Sequence, residues 1–415
     1  MRLMTLLRTS SAARAAILLI PWLVSYSAQI SQWVTTGYWE SVAAQSSFLL
    51  GFTVPACAAC AAWEGARIRR SGILASTPVR SPLAIALSVV TPVLVLGLIA
   101  VLLPLLMLLP YAQGIPGGAT FAIVGLELPL VTAHSFLGYA AGFVLPRLLA
   151  APAVLMATWL WMAYPAALEP FWLRQLNGHN LNECCALDQV VADRAVVAPA
   201  LVAGGLLLAA LIWIRGRRFA ARALAPVVVA LGLTAGAVIG MPLGYKAGSP
   251  RAASELTCDS GTPAICLWPE QMQEATAIRS LSSRAAERLA QLDVPVAPQL
   301  TMPSVQPRAD QIIASVALSA IPGAPPRCAE SGPWPGNVAQ GPLMAWLVQT
   351  AGADARFVQG SYTSEDVRTV EQVRSLPEAD QTRWFRTNAA TLKNCVERPA
   401  LNPDRTSADS SRETP

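Results

Sequence analysis

Glu127 and His134 stand seven residues apart inside one apolar stretch, a spacing of two helical turns that puts both on nearly one face. Polar groups in such a setting are expensive. They either line a substrate path and relay a proton, or divide into a glutamate near an aqueous mouth and a histidine making one interhelical hydrogen bond. Pro129 between them would free a backbone carbonyl and kink the helix. A second group is the basic stretch from Trp63 to Pro82, which carries Glu64, Arg67, Arg69, Arg70 and Arg80 between two long apolar runs. Its guanidinium groups suit charge complementarity with a partner and contact with anionic lipid, or serve only as a topology anchor. Cys57 and Cys60 form a CxxC within an apolar run, a pattern that redox or metal chemistry can use, but two small residues one turn apart in a membrane helix are read here as packing.

Other chemistry is bounded by residues the chain lacks. Among 415 residues there are two His, His134 and His179, and two Lys, Lys246 and Lys393. The sequence contains no HExxH, GxSxG or GxxxxGK[ST] pattern, so no phosphate loop, no catalytic residue, no metal site and no cofactor is expected. The expectation is a non-enzyme, and nucleic acid is not expected as a partner.

The elements that must position these groups follow from composition: 53% of the residues are hydrophobic and 13% charged, which places the chain in the membrane class. Seven apolar runs, 15–31, 45–63, 83–109, 118–144, 148–166, 196–214 and 224–243, approach the roughly 20 residues that a hydrocarbon core demands. The first also fits a signal peptide, which would leave six spans. Residues 1–244 hold 14 Arg, and 12 of them fall on one side if the spans alternate; only Arg174 and Arg194 fall on the other. Positive residues are retained in the cytoplasm, so the N-terminus is expected inside and residues 245–415 outside. Gly138 and Gly142, and the run Gly232, Gly236, Gly240 and Gly244, give faces bare enough for close helix packing, within one subunit or between two in a homo- or hetero-dimer.

Six of the eight cysteines, Cys184, Cys185, Cys258, Cys266, Cys328 and Cys395, lie in segments that the charge rule puts outside, where disulfides persist. Cys258 is expected to pair with Cys266 and Cys328 with Cys395; adjacent Cys184 and Cys185 are expected to pair with other cysteines. Residues 245–400 read as a mainly helical domain, with helices after Pro269 and from the capping-box spacing Ser375 to Glu378, an extended Pro-rich stretch at 291–303, and a disordered tail at 401–415. Trp268 and Trp334 suit either ligand stacking or local core. The fold class is therefore all-α: a polytopic transmembrane helix bundle followed by a small disulfide-stabilised extracytoplasmic domain.

The order Glu64, Arg69, Arg70, Ser71, Gly72, Leu74, Thr77, Pro78, Arg80 resembles the segment after the second helix of type-two ABC transporter permeases, a bacterial membrane family. The resemblance implies that Glu64 to Arg80 face a separate ATPase subunit and that the bundle shapes an export path. Two features depart from that family: seven spans in place of the usual six, and the large outer domain. The competing expectation is a membrane-anchored assembly or sensing protein whose outer domain binds a cell-surface partner.

Overall fold

The structure is a computed structural model; it describes residues 10–73, 80–216, 219–330 and 332–402. Leu74, Thr77 and Pro78 of the basic turn, Arg217 and Arg218, and tail residues 403–415 lie outside the described residues. The chain divides into two units, residues 1–251 and 252–415.

In the first unit the apolar runs form α1 (Ser11–Ile30), α2 (Trp39–Ser47), α3 (Leu50–Ser71), α4 (Pro82–Leu108), α5 (Gly118–Gly142), α6 (Arg147–Ala163), α7 (Asp193–Arg215) and α8 (Phe219–Gly240). Among the described residues six helices are long and apolar enough to cross a membrane, and counting the bent pair α2–α3 as one span makes seven. The ends are set locally. Ser10 caps α1 by accepting from the Ala12 N–H, Ser81 caps α4 by accepting from the Ala84 N–H ahead of Pro82 at the first helical position, and Gly72 closes α3 at φ 65.

The second span, expected as one helix over 45–63, is a broken pair: α2 and α3 meet at 43°. Two causes are local. Ser46 and Ser47 donate to the carbonyls of Ala43 and Ala44, each at 2.7 Å, and Pro55 removes an N–H from the first turns of α3.

Helix α3 packs against α5 with the two running parallel, because Gly138 lies over the Ala58 carbonyl and Gly142 over that of Ala62. Gly232 of α8 abuts Gly205 of α7, and Gly236 abuts Val202 and Ala198. These contacts are all within the chain. Gly244 does not belong with them. Helix α8 stops at Gly240, and Gly244 lies beyond it at φ 58 with open space around its Cα, a turn rather than a packing face.

The unit boundary falls seven residues later than the expected 244, because the strand β2 (Gly248–Pro250) pairs antiparallel with β1 (Gln189–Val191) and ties 245–251 to the first unit. Cys184 and Cys185 are joined to each other, against expectation: Cys185 adopts φ 85, which brings adjacent side chains together, while Cys57 and Cys60 are buried in α3 as free thiols.

The second unit carries α9 (Ala275–Ala290), α10 (Ala309–Leu318), α11 (Gln340–Thr350), α12 (Ala355–Ser361), α13 (Ser364–Arg374) and α14 (Glu378–Thr391), around a core that includes Trp346, Trp384 and Phe385. A small sheet that helical periodicity did not foretell, β3 (Thr257–Cys258), β4 (Ala264–Leu267) and β5 (Gln299–Thr301) in that order, lines the core. Disulfides join Cys258 to Cys266 and Cys328 to Cys395. The Ser375–Glu378 capping box is not formed: the Ser375 hydroxyl closes the preceding helix on the Gln372 carbonyl, and Pro377 precedes α14. The box is made instead by Thr363 and Asp366. Trp268 is buried, and Trp334 donates to the Thr391 carbonyl; both serve the local core.

Candidate functional site

The arginines gather at one end of the bundle. Glu64 is 1% exposed, and its Oε1 accepts from the Ser11 backbone N–H at 2.8 Å and the Ser11 hydroxyl at 2.9 Å. Its Oε2 takes the Arg67 guanidinium at 2.6 Å. This carboxylate therefore locks the start of α1 to the last turns of α3 and is not part of an exposed face, which corrects its expected place on a partner-facing surface. Nor is 64–71 a separate short helix, since it continues α3 without interruption. Arg69 donates to the Phe143 carbonyl at 2.7 Å, Arg147 lies 5.0 Å over the Trp63 ring, and Arg222 lies 5.2 Å over Trp213. Arg67, Arg69, Arg70 and Arg80 keep exposed side chains there.

Glu127 and His134 occupy one buried face of α5, yet they do not serve each other. The Ser46 hydroxyl, just before the α2–α3 break, is 3.4 Å from Glu127 Oε1. His134 Nδ1 sits 2.8 Å from the Leu130 carbonyl of its own helix, and Nε2 is buried with no partner among the described residues. The expected interhelical hydrogen bond of His134 is therefore replaced by one within its helix.

The break brings in a residue that periodicity did not single out. Between α6 and α7 the chain makes three 3₁₀ turns, Tyr164–Ala167, Phe171–Leu176 and His179–Glu183, and the last two wedge polar side chains against the bundle. Asn177 donates to the carbonyls of Trp161 and Met162, Gln45 donates to that of Asn182, and Arg174 stacks 3.8 Å over the Tyr245 ring while donating to the Ala166 carbonyl. His179 lies against Gly51, with its ring centroid 5.1 Å from that of Phe48 at the break. Burial pushes its pKa down to about 4, opposed by a hydrogen bond with the Phe48 backbone. The only sequence signal was the polar run 177–183 between two apolar spans. Cys57 and Cys60 are buried in α3, and among the described residues no three His, Cys, Asp or Glu side chains converge as metal ligands.

The second unit has its own concavity, an open groove of about 620 Å³ between α9 and the Pro-rich segment 293–298. Glu287 and Asp293 stand on it, with Val294, Pro295 and Pro298 supplying apolar wall.

Residues 265–395, which make up most of the second unit, match a family described as a domain of unknown function (DUF7224). No curated protein and no solved structure matches the chain.

Proposed function

We propose that the chain is a permease-like membrane subunit of an ABC-type exporter, with ATP hydrolysis supplied by a separate chain. The observation that carries this reading is the exposed set Arg67, Arg69 and Arg70 at the end of a helix that Glu64 fixes to α1, with Arg80 exposed just before α4. A partner pressing on a rigidly held helix end moves the bundle rather than a loose loop. The broken α2–α3 span, with Glu127 buried beside the break, supplies an irregular backbone segment of the kind that lines transport paths. In this reading the arginine-rich end faces the cytoplasm and the disulfide-bonded second unit lies outside.

The test is co-purification. The full chain expressed with its ATPase subunit is expected to hold it, and the triple variant Arg69→Glu, Arg70→Glu, Arg80→Glu to release it while still folding. Undiminished association would remove the assigned role of this helix end. A second reading, a membrane-anchored sensing or assembly protein, is favoured by the groove of the second unit. Binding of a cell-surface partner by the 252–402 fragment, with no transport by the whole chain, would select it.

A further inference from the structure

Glu127 stands about 14 Å along α5, counted from Gly118 at about 1.5 Å per residue, and is 2% exposed. Among the described residues its carboxyl meets one polar group, the Ser46 hydroxyl at 3.4 Å. That hydroxyl has a single hydrogen, and the hydrogen is spent at 2.7 Å on the Ala43 carbonyl of its own helix. The 3.4 Å contact therefore contains a hydrogen only if the carboxyl brings it. An ionised Glu127 would face Ser46 lone pair to lone pair, with no donor in place of the water lost on burial, which is the expensive state inside a bilayer.

The elements packed on α5 supply no charge to offset it. Helix α4 and strand β1 contain no ionisable side chain. On α2 the one such group is Glu40, beside Gly117 at the entry of α5. On α3, Cys57 and Cys60 are neutral thiols, and Glu64 with its arginines stands at the far end. Asp193 and Arg194 open α7, Arg215 closes it, and Arg147 opens α6 over Trp63. His134 is held two turns further along α5 by the Leu130 carbonyl, with Tyr139 beyond it, and His179 is held by the Phe48 backbone. The loop 177–183, which also contains Glu183, flanks the carboxyl. Its Gly178 fits against Leu126 and Leu130 on either side of Glu127, and Asn182 accepts from Gln45, the neighbour of Ser46.

We propose that Glu127 is a proton-binding site: a carboxylic acid un-ionised at neutral pH, donating to Ser46 at the α2–α3 break and shielded by the loop 177–183, which must lift before the proton exchanges with water. Release leaves a carboxylate at the break, so the charge of the bundle changes with its shape there. The proposal rests on the membrane reading of α5 and not on the transport reading. Its readouts need no ATPase partner, and the two can fail separately.

The experiment is infrared difference spectroscopy of the full chain in liposomes at neutral pH, wild type against Glu127→Gln. The wild type is expected to show the carbonyl band of one un-ionised carboxylic acid that the Gln variant lacks, and Ser46→Ala to move that band by removing its acceptor. On transfer to heavy water, Gln45→Ala, which unties the loop from α2, is expected to deuterate the band about fivefold faster than wild type, the effect of one lost hydrogen bond. Should Glu127→Gln fail to fold, an apolar reagent carries the test on the wild type. Dicyclohexylcarbodiimide adds to a carboxylic acid: the acid proton goes to one nitrogen, the carboxyl oxygen bonds the central carbon, and the acyl group then migrates to nitrogen. It is expected to label Glu127 and to spare Glu64, which is buried but paired with Arg67. A missing band, or Glu127 labelled no faster than Glu64, would overturn the proposal. Labelling suppressed by sodium at fixed pH would put a metal cation in place of the proton and overturn it as well. An unaltered exchange rate in Gln45→Ala would overturn the part given to the loop.

Discussion

A histidine in a dry site reports on acidity through the state that refuses the proton. His179 has its folded pKa depressed from 6.5 to about 4, so an opened loop takes up a proton across that window while the docked loop does not. Stability of the docked loop is therefore complete above pH 6.5 and falls as pH drops towards 4, by about 3 kcal/mol in all. Thermal unfolding in detergent at stepped pH is expected to show this slope, and His179→Phe, which keeps a ring on Phe48, to flatten it. Glu64 makes the complementary case at the other end. Glu64→Ala strands the Ser11 donors and the Arg67 guanidinium and is expected to cost about 2–3 kcal/mol, with Ser11→Ala costing less, read by the same melts.

At the scale of elements, the glycines separate into kinds that spacing alone could not distinguish. A Cβ on Gly138 would run into the Ala58 carbonyl, and backbone does not yield, whereas a Cβ on Gly240 would meet Leu176 and Ala198 at ordinary contact distances of 3.6 and 3.7 Å. Gly138→Ala is expected to lower stability by about 1–3 kcal/mol or to block assembly of α3 on α5, and Gly240→Ala to be neutral or slightly stabilising. Helix existence was readable, because apolar runs of spanning length and alternating arginine placement leave few alternatives. The break after Ser47 was not, although Pro55 was in view, since it also depends on hydroxyls that turn back on their own helix, and the ring packed beside it, His179, stands 132 residues further along the chain. The role of Glu64 was hidden for a related reason: its partner, Ser11, lies 53 residues away on another helix.

For the whole molecule, the division after Arg251 gives the second unit a hydrophobic core of its own around Trp346 and Trp384. A 252–402 fragment is therefore expected to fold alone with cooperative unfolding and near-native circular dichroism. Its Cys328–Cys395 bridge closes a sequence separation of 67, and removing it by the double Ser substitution is expected to cost about 4 kcal/mol in denaturant titration. Composition had shown the two halves, but the seven residues after Gly244 were assigned to the wrong one. Their attachment comes from a three-residue strand pairing, too short to leave a pattern in sequence.

The pairing of Cys184 with Cys185 closes the count of bridges inside each half: 184–185 in the first, 258–266 and 328–395 in the second. The peptide backbone at 251–252 is thus the sole covalent tether between them. A protease that nicks there would shed the C-terminal half from the apolar helices without any reducing agent, visible on a non-reducing gel.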